Sequence, residues 1–253
     1  MAERTIWSDD FDYATTAALE AAYQHSASMG TGTNVFTVDP ITPGPTGYAT
    51  GCTSQHVADV ALAGHFTADS PLLNPPRGRY FHVRGVWVFT YTDDFNASTT
   101  LLTFAQNTLG FLSAYWRVNL RKSDNAIQLV VNGTTYPTPA YTSAYTTAVT
   151  PGSANRIDVY GYLSTLSDAG GGVYAPNLDG SITLTVNDVQ VFTHSGKVWN
   201  FEDTLSAPSW NYVKVAPAGT FSGLRIMDDD GITASAGLGQ PGYPAWQSAV
   251  TGM

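Results

Sequence analysis

Charge is what this sequence has least of. Asp, Glu, Lys and Arg together make 12% of its 253 residues, where an average soluble domain has roughly 25%. Lysine is the scarce cation, with Lys122, Lys197 and Lys214 set against eight arginines; glutamate is the scarce anion, with Glu3, Glu20 and Glu202 alone. So few Glu and Lys exclude a coiled coil or a long-helix protein. The balance is acidic, −9, which excludes a general affinity for nucleic-acid phosphates. Cysteine is nearly absent. Cys52 is the single one, so no internal disulfide forms, and the chain folds in a reducing compartment or needs no covalent staple. Although His56 lies four residues on, no Cys-His catalytic signature accompanies Cys52, and it reads as a small buried or half-buried thiol. No apolar run approaches the ~18 residues that mark a membrane-spanning helix. Met1 to Trp7 lacks the apolar core of a secretion signal, so membrane insertion is not expected. Without such a signal the sequons Asn96-Ala97-Ser98 and Asn132-Gly133-Thr134 are read as chance.

What is present points to a β protein. The chain is 43% hydrophobic and 12% aromatic, enough apolar surface to offset chain entropy, so it is not disordered. Thirty-two threonines, with Ser, Asn, Gly and Tyr, take the place of charge. Strand patterns run over Thr5–Phe11, Tyr80–Tyr91, Thr99–Gln106, Leu112–Leu120, Ala126–Asn132, Asn155–Tyr162, Ser181–Val186, Val189–His194, Trp210–Val215 and Gly223–Met227. Polar turns mark two hairpins, Lys122-Ser123-Asp124-Asn125 and Asn187-Asp188. Thr15 to Tyr23 reads as one short helix with a Thr N-cap. The stretches Asp39–Thr50 and Pro71–Gly78 are rich in Pro and Gly and read as long surface loops. No repeat and no βαβ rhythm is visible. The expected class is all-β, an antiparallel sandwich with one short N-terminal helix and long loops, in a single domain over residues 1–233. Residues 234–253 are expected to form an irregular C-terminal arm, docked through Tyr243 and Trp246.

Three segments carry a family resemblance. Trp7-Ser8-Asp9-Asp10-Phe11-Asp12 opens the chain, Asn155–Tyr160 is followed by Gly180–Val191 with an internal Val-Asn-Asp turn, and Gly223–Asp229 closes the strand series. Their order resembles the concanavalin A-like jelly roll of lectins and glucanases. The resemblance implies a last strand that returns beside the first. It also implies one of two settings, carbohydrate binding or cleavage, or the outer surface of bacteriophage particles.

The residues were weighed against the chemistry such sandwiches carry. A glucanase needs Glu-x-Asp-x-x-Glu, because alternate strand positions project into one groove and the pair must flank a glycosidic bond; three scattered glutamates do not make it. A lyase needs a His or Tyr base with Arg to neutralise a uronate. His82 and Arg84 share a strand face, with Arg77 and Arg79 nearby, but the face reads more simply as the solvated side of a half-buried strand. Asp9, Asp10 and Asp12, with Asp228, Asp229 and Asp230, form two acidic groups on strands expected to be neighbours; a structural calcium ion between them is one reading and solvated strand ends the other. The five histidines show no ligand spacing. Tyr136, Tyr141, Tyr145 and Tyr174 lie in Thr- and Pro-rich segments expected to be exposed loops, as glycan platforms or subunit contacts. A neutral Thr, Ser, Asn and Tyr surface costs little charge desolvation when buried against a partner.

The expectation drawn is a non-enzymatic virion structural protein of a bacteriophage, a capsid decoration or tail or fibre component. It is made in the host cytoplasm, needs no cofactor, and assembles with virion partners and as a homo-oligomer, with host-surface glycan as a further ligand. The alternatives are a lectin-like carbohydrate-binding module and a glycan-cleaving enzyme.

Overall fold

A computed structural model describes residues 3–10, 24–25, 36–39, 51–54, 60–61, 79–89, 98–108, 111–131, 141–170, 173–198, 212–215 and 219–228. They form eighteen strands: β1 (Arg4–Asp9), β2 (Gln24–His25), β3 (Phe36–Asp39), β4 (Gly51–Ser54), β5 (Val60–Ala61), β6 (Tyr80–Phe89), β7 (Ser98–Thr108), β8 (Phe111–Arg121), β9 (Ala126–Val131), β10 (Tyr141–Thr142), β11 (Thr146–Thr147), β12 (Ala154–Tyr162), β13 (Leu166–Gly170), β14 (Val173–Pro176), β15 (Gly180–Val186), β16 (Val189–Gly196), β17 (Tyr212–Val215) and β18 (Gly219–Asp228). The expected helix over Thr15–Tyr23 and the C-terminal arm lie outside the described residues.

Two antiparallel sheets build the sandwich. The first runs β16-β15-β12-β6-β18-β4-β3, with β1 also paired to β18; the second runs β10-β9-β8-β7-β17-β5-β2, with β11 also on β9. The opening strand therefore lies beside the closing one, as the resemblance implied. A separate ribbon, β13–β14, includes Tyr174, whose segment the sequence suggested was an exposed loop.

Alternation decides what each sheet buries. On β6, Phe81, Val83, Trp87 and Phe89 enter the core; on β12, Ile157 and Val159 do. They meet Leu102, Phe104, Trp116, Val118, Leu120, Ile127, Leu129 and Val131 from the second sheet. Phe81 joins the sheets, its ring 4.7 Å from Phe104 and 5.6 Å from Trp116. Gly161 continues the inward row of β12 where only hydrogen fits, since a Cβ there would stand 2.0 Å from the Ser181 carbonyl oxygen.

Turn chemistry sets the strand joins. Asn187 and Asp188 both take positive φ, 51° and 67°, the geometry that matches hairpin twist in a two-residue loop, and Val186 pairs with Val189 across it. Asn125, at φ 55°, closes the β8–β9 turn. Gly223, at φ 64°, sits in the bulge that shifts β18 against β6 between Ser222 and Arg225.

Candidate functional site

The outward row of β6 is Tyr80, His82 and Arg84, and that of β12 is Arg156, Asp158, Tyr160 and Tyr162. Register puts them side by side: Arg84 opposite Asp158, His82 opposite Tyr160, Tyr80 opposite Tyr162. On the other flank β18 sets Met227 against His82 and Arg225 against Arg84. This row faces away from the core, yet Tyr80 and His82 are buried, at 9% and 6% exposure. Neighbouring side chains on the same face cover them.

Asp158 is the hub. Its side chain is 4% exposed. Oδ1 faces His82 Nε2 at 2.8 Å and accepts from Arg84 Nε at 2.6 Å, and Oδ2 accepts from Arg156 Nε at 3.1 Å. Burial pushes this carboxyl up, and the hydrogen bonds from His82 and Arg84 more than offset it, leaving it below the usual carboxylate range. Arg156 also pairs with Asp188 in the hairpin turn. A buried carboxylate held by two guanidinium groups is a rigid support, since each partner fixes the rotamer of the other.

Glu3 closes the other side of His82. Its Oε1 lies 2.8 Å from His82 Nδ1 and accepts from the Tyr80 hydroxyl. Burial pushes Glu3 up, but hydrogen bonds from Tyr80 and His82 and the charges of His82 and Arg84 outweigh it, and its pKa is lowered. His82 thus stands between two carboxylates, one at each ring nitrogen. Beside these groups stand two exposed aromatic rings. Tyr160, 36% exposed, meets the His82 ring edge-on at 5.5 Å; Tyr162, 38% exposed, lies 5.1 Å from the Tyr80 ring.

The residues singled out from sequence fall in different places. His82 and Arg84 do share a face, as the lyase reading required. Arg79 does not join them: its Nε donates to the Leu163 carbonyl and Nη2 to Asp179. Antiparallel pairing sets Arg4 opposite Asp228 and Asp9 opposite Leu224, at opposite ends of the β1–β18 ladder. Asp10 accepts from Arg225 at 2.8 Å, and Asp12, Asp229 and Asp230 lie outside the described residues. Among the described residues, no group of three or more His, Cys, Asp or Glu is placed to hold a metal ion.

Two of the predicted exposed tyrosines are engaged in packing. Tyr141 is half-buried against the core and stacks on His194 at 4.4 Å, and Tyr145 is half-buried with the Arg121 guanidinium 4.2 Å above its ring. Short strands β10 and β11 fold their segment back onto β9. Tyr136, Tyr243 and Trp246 lie outside the described residues, and so does the Tyr174 side chain.

Sequence reasoning missed Asp158, Arg156, Tyr160, Tyr162 and the role of Glu3. Their alternation along Arg156–Tyr162 was legible; that this row lies against Tyr80–Arg84 was not.

No protein-family model matches the chain, and no curated protein matches it in sequence. Solved structures do match in fold. The T. cruzi calreticulin globular domain superposes with a TM-score of 0.54 at 7% identity, over 90% of this chain and 89% of that one. Alginate lyase Aly36B gives 0.51 at 11%, over 90% and 97%. The endo-beta-1,4-glucuronan lyase from the fungus Trichoderma reesei gives 0.50 at 10%, over 88% and 92%. These likenesses establish an all-β jelly-roll sandwich. They also correct the expectation of a non-enzymatic protein: two of the three are polysaccharide lyases, so this fold carries catalysis. The shortage of glutamate excludes only the Glu-x-Asp-x-x-Glu motif. The virion expectation finds no support in these comparisons.

Proposed function

We propose that the protein acts on an acidic polysaccharide laid across the outer face of the first sheet, and cleaves it by β-elimination. The observation that carries this reading is the row Tyr80, His82, Arg84 set directly beside the exposed rings of Tyr160 and Tyr162. Aromatic rings take the faces of sugar rings, and a few placed polar groups fix orientation. Elimination from a uronate removes the proton on the carbon next to the carboxylate. The electron pair forms a double bond, and the glycosidic oxygen leaves and takes up a proton. The first requirement is a cancelled carboxylate charge, since an uncancelled one opposes the developing carbanion. Arg84, His82 and Tyr80 supply donors and positive charge for that. The second is a group that exchanges protons with the sugar. Tyr160 holds that position, exposed and edge-on to His82. The alginate and glucuronan lyases that share this fold support the substrate class.

The test is turnover of alginate and of polyglucuronate, followed by the ultraviolet absorbance of the unsaturated product, with binding measured separately. Tyr160→Phe should keep binding and lose turnover on the order of a hundredfold or more, the usual share of a proton-transfer group. Tyr160→Ala should lose both. Binding without any wild-type turnover would remove the lyase step and leave a glycan-binding face. No binding of either polymer would remove the reading.

A further inference from the structure

Glu3 is the outlier in the cluster. Asp158 is built into β12 and its side chain is 4% exposed, whereas that of Glu3 is 46% exposed. The β1–β18 ladder begins at Arg4 opposite Asp228, so Glu3 precedes the first paired residue. What it holds is a two-donor cradle, the Tyr80 hydroxyl and His82 Nδ1, aimed at one carboxylate oxygen. Both donors belong to otherwise buried side chains, and they lie against the two exposed tyrosine rings.

We propose that Glu3 occupies, in the free protein, the subsite for the carboxylate of an acidic sugar, so that the N-terminal segment must withdraw before such a glycan binds. This rests on the functional reading above and names the chemistry of one of its subsites. A carboxylate of a bound acidic sugar would meet the same two groups that Glu3 meets, beside the rings of Tyr160 and Tyr162. A site that is open only part of the time binds with its intrinsic affinity reduced by the open fraction.

The test compares the full-length wild type with Glu3→Ala, Glu3→Gln and Tyr160→Ala, by calorimetry, with an oligoglucuronate and a neutral cello-oligosaccharide of equal length. Glu3→Ala should bind the oligoglucuronate about tenfold more tightly than wild type, taking the open form as a minor state of roughly 10%, and the neutral oligosaccharide no more tightly. Glu3→Gln should fall between. A second measurement checks the carboxylate subsite directly. Acetate should raise the unfolding temperature of Glu3→Ala, relative to chloride at equal ionic strength, and leave that of the wild type unchanged. If the wild type binds oligoglucuronate, Tyr160→Ala abolishes that binding, and Glu3→Ala leaves it equal or weaker, the self-occupied subsite is overturned while the functional reading stands. If neither the wild type nor Glu3→Ala binds the acidic oligosaccharide, both fall.

Discussion

Two regions of this molecule exchange the roles that composition suggests for them. The segment over residues 134–147 is dense in Tyr and Thr and looks like a display surface, yet its described tyrosines are packed: Tyr141 on His194 and Tyr145 under Arg121. The β6–β12 face looks like an ordinary half-solvated sheet, yet it holds a buried carboxylate at the centre of a charged network with exposed rings beside it. Aromatic density along a chain reports how much ring surface must be placed somewhere. Placement is decided by register: the pairing of β10 and β11 with β9 folds Tyr141 and Tyr145 back to the sandwich edge, while β12 sets Tyr160 and Tyr162 on an open face. A polar network buried on one face also costs desolvation and is kept only if every member is satisfied. The β6–β12 face is therefore expected to fail through charge, and the segment over residues 134–147 through packing.

The largest expected effect tests that difference at Asp158. Removing it leaves His82, Arg84 and Arg156 without their shared anion. Asp158→Ala should lower stability by about 3 kcal/mol, the low end for breaking a buried ion pair, because the two arginine side chains keep 37% and 34% of their area exposed. Denaturant unfolding measures it; a loss below about 1 kcal/mol would place the network's energy elsewhere. Its acid behaviour follows. The folded-state pKa of Asp158 lies below the ordinary 3.8, so its stabilisation is complete above that value and is lost as pH falls through the lower folded-state value. Asp158→Ala should flatten this part of the acid limb, and Glu3, also lowered, accounts for a share of what remains.

The second region answers at a different pH and by a smaller amount. Tyr141→Ala removes half-buried ring area and the His194 stack, about 1–2 kcal/mol by the usual worth of each. Burial lowers the pKa of His194 from the ordinary 6.5, and among the described residues its Nε2 is buried without a hydrogen-bond partner. Protonation therefore costs more in the folded chain than in the unfolded one. This contribution is complete above 6.5 and declines as pH falls below it. A His194→Gln variant should lose that slope between pH 7 and the onset of the carboxylate limb. If the slope persists, His194 is not the group that produces it.

Much of the architecture was legible because strands announce themselves locally. Alternation in Tyr80–Tyr91 and Asn155–Tyr162 marked the inward and outward rows, and Asn187-Asp188 marked a hairpin that the positive φ of both residues explains. The first strand beside the last was implied by resemblance alone. The site was half legible. His82 with Arg84 shows in one strand, because the i, i+2 relation is local. Arg84 with Asp158 spans 74 positions, and His82 with Glu3 spans 79; nothing local encodes which outward rows become neighbours. Adjacency of β1 and β18 was expected, but not the register, which sets Asp9 opposite Leu224 and Asp228 opposite Arg4. Glu3 counts in the sequence only as one of three scattered glutamates, although a residue just outside a ladder is the kind that can reach across to a neighbouring strand.

The smallest effect belongs to the pair that looks most like a designed contact. Arg121 lies 4.2 Å over the Tyr145 ring and makes a two-bond fork to Asp124 in the β8–β9 turn, at 2.9 and 2.5 Å. Hydrogen bonding to Asp124 raises the arginine pKa, with burial opposing it, and the same bond lowers that of Asp124. These groups are open to solvent, where water competes for every donor and salt screens the charges. The turn already has a local determinant in Asn125, whose left-handed backbone closes it without the ion pair. Arg121→Ala should therefore shift the unfolding midpoint by about one degree or less, and added salt should remove most of that shift. A larger, salt-resistant loss would mean that the Arg121–Tyr145 stack is itself a packing element, and the second region would then depend on charge much as the β6–β12 face does.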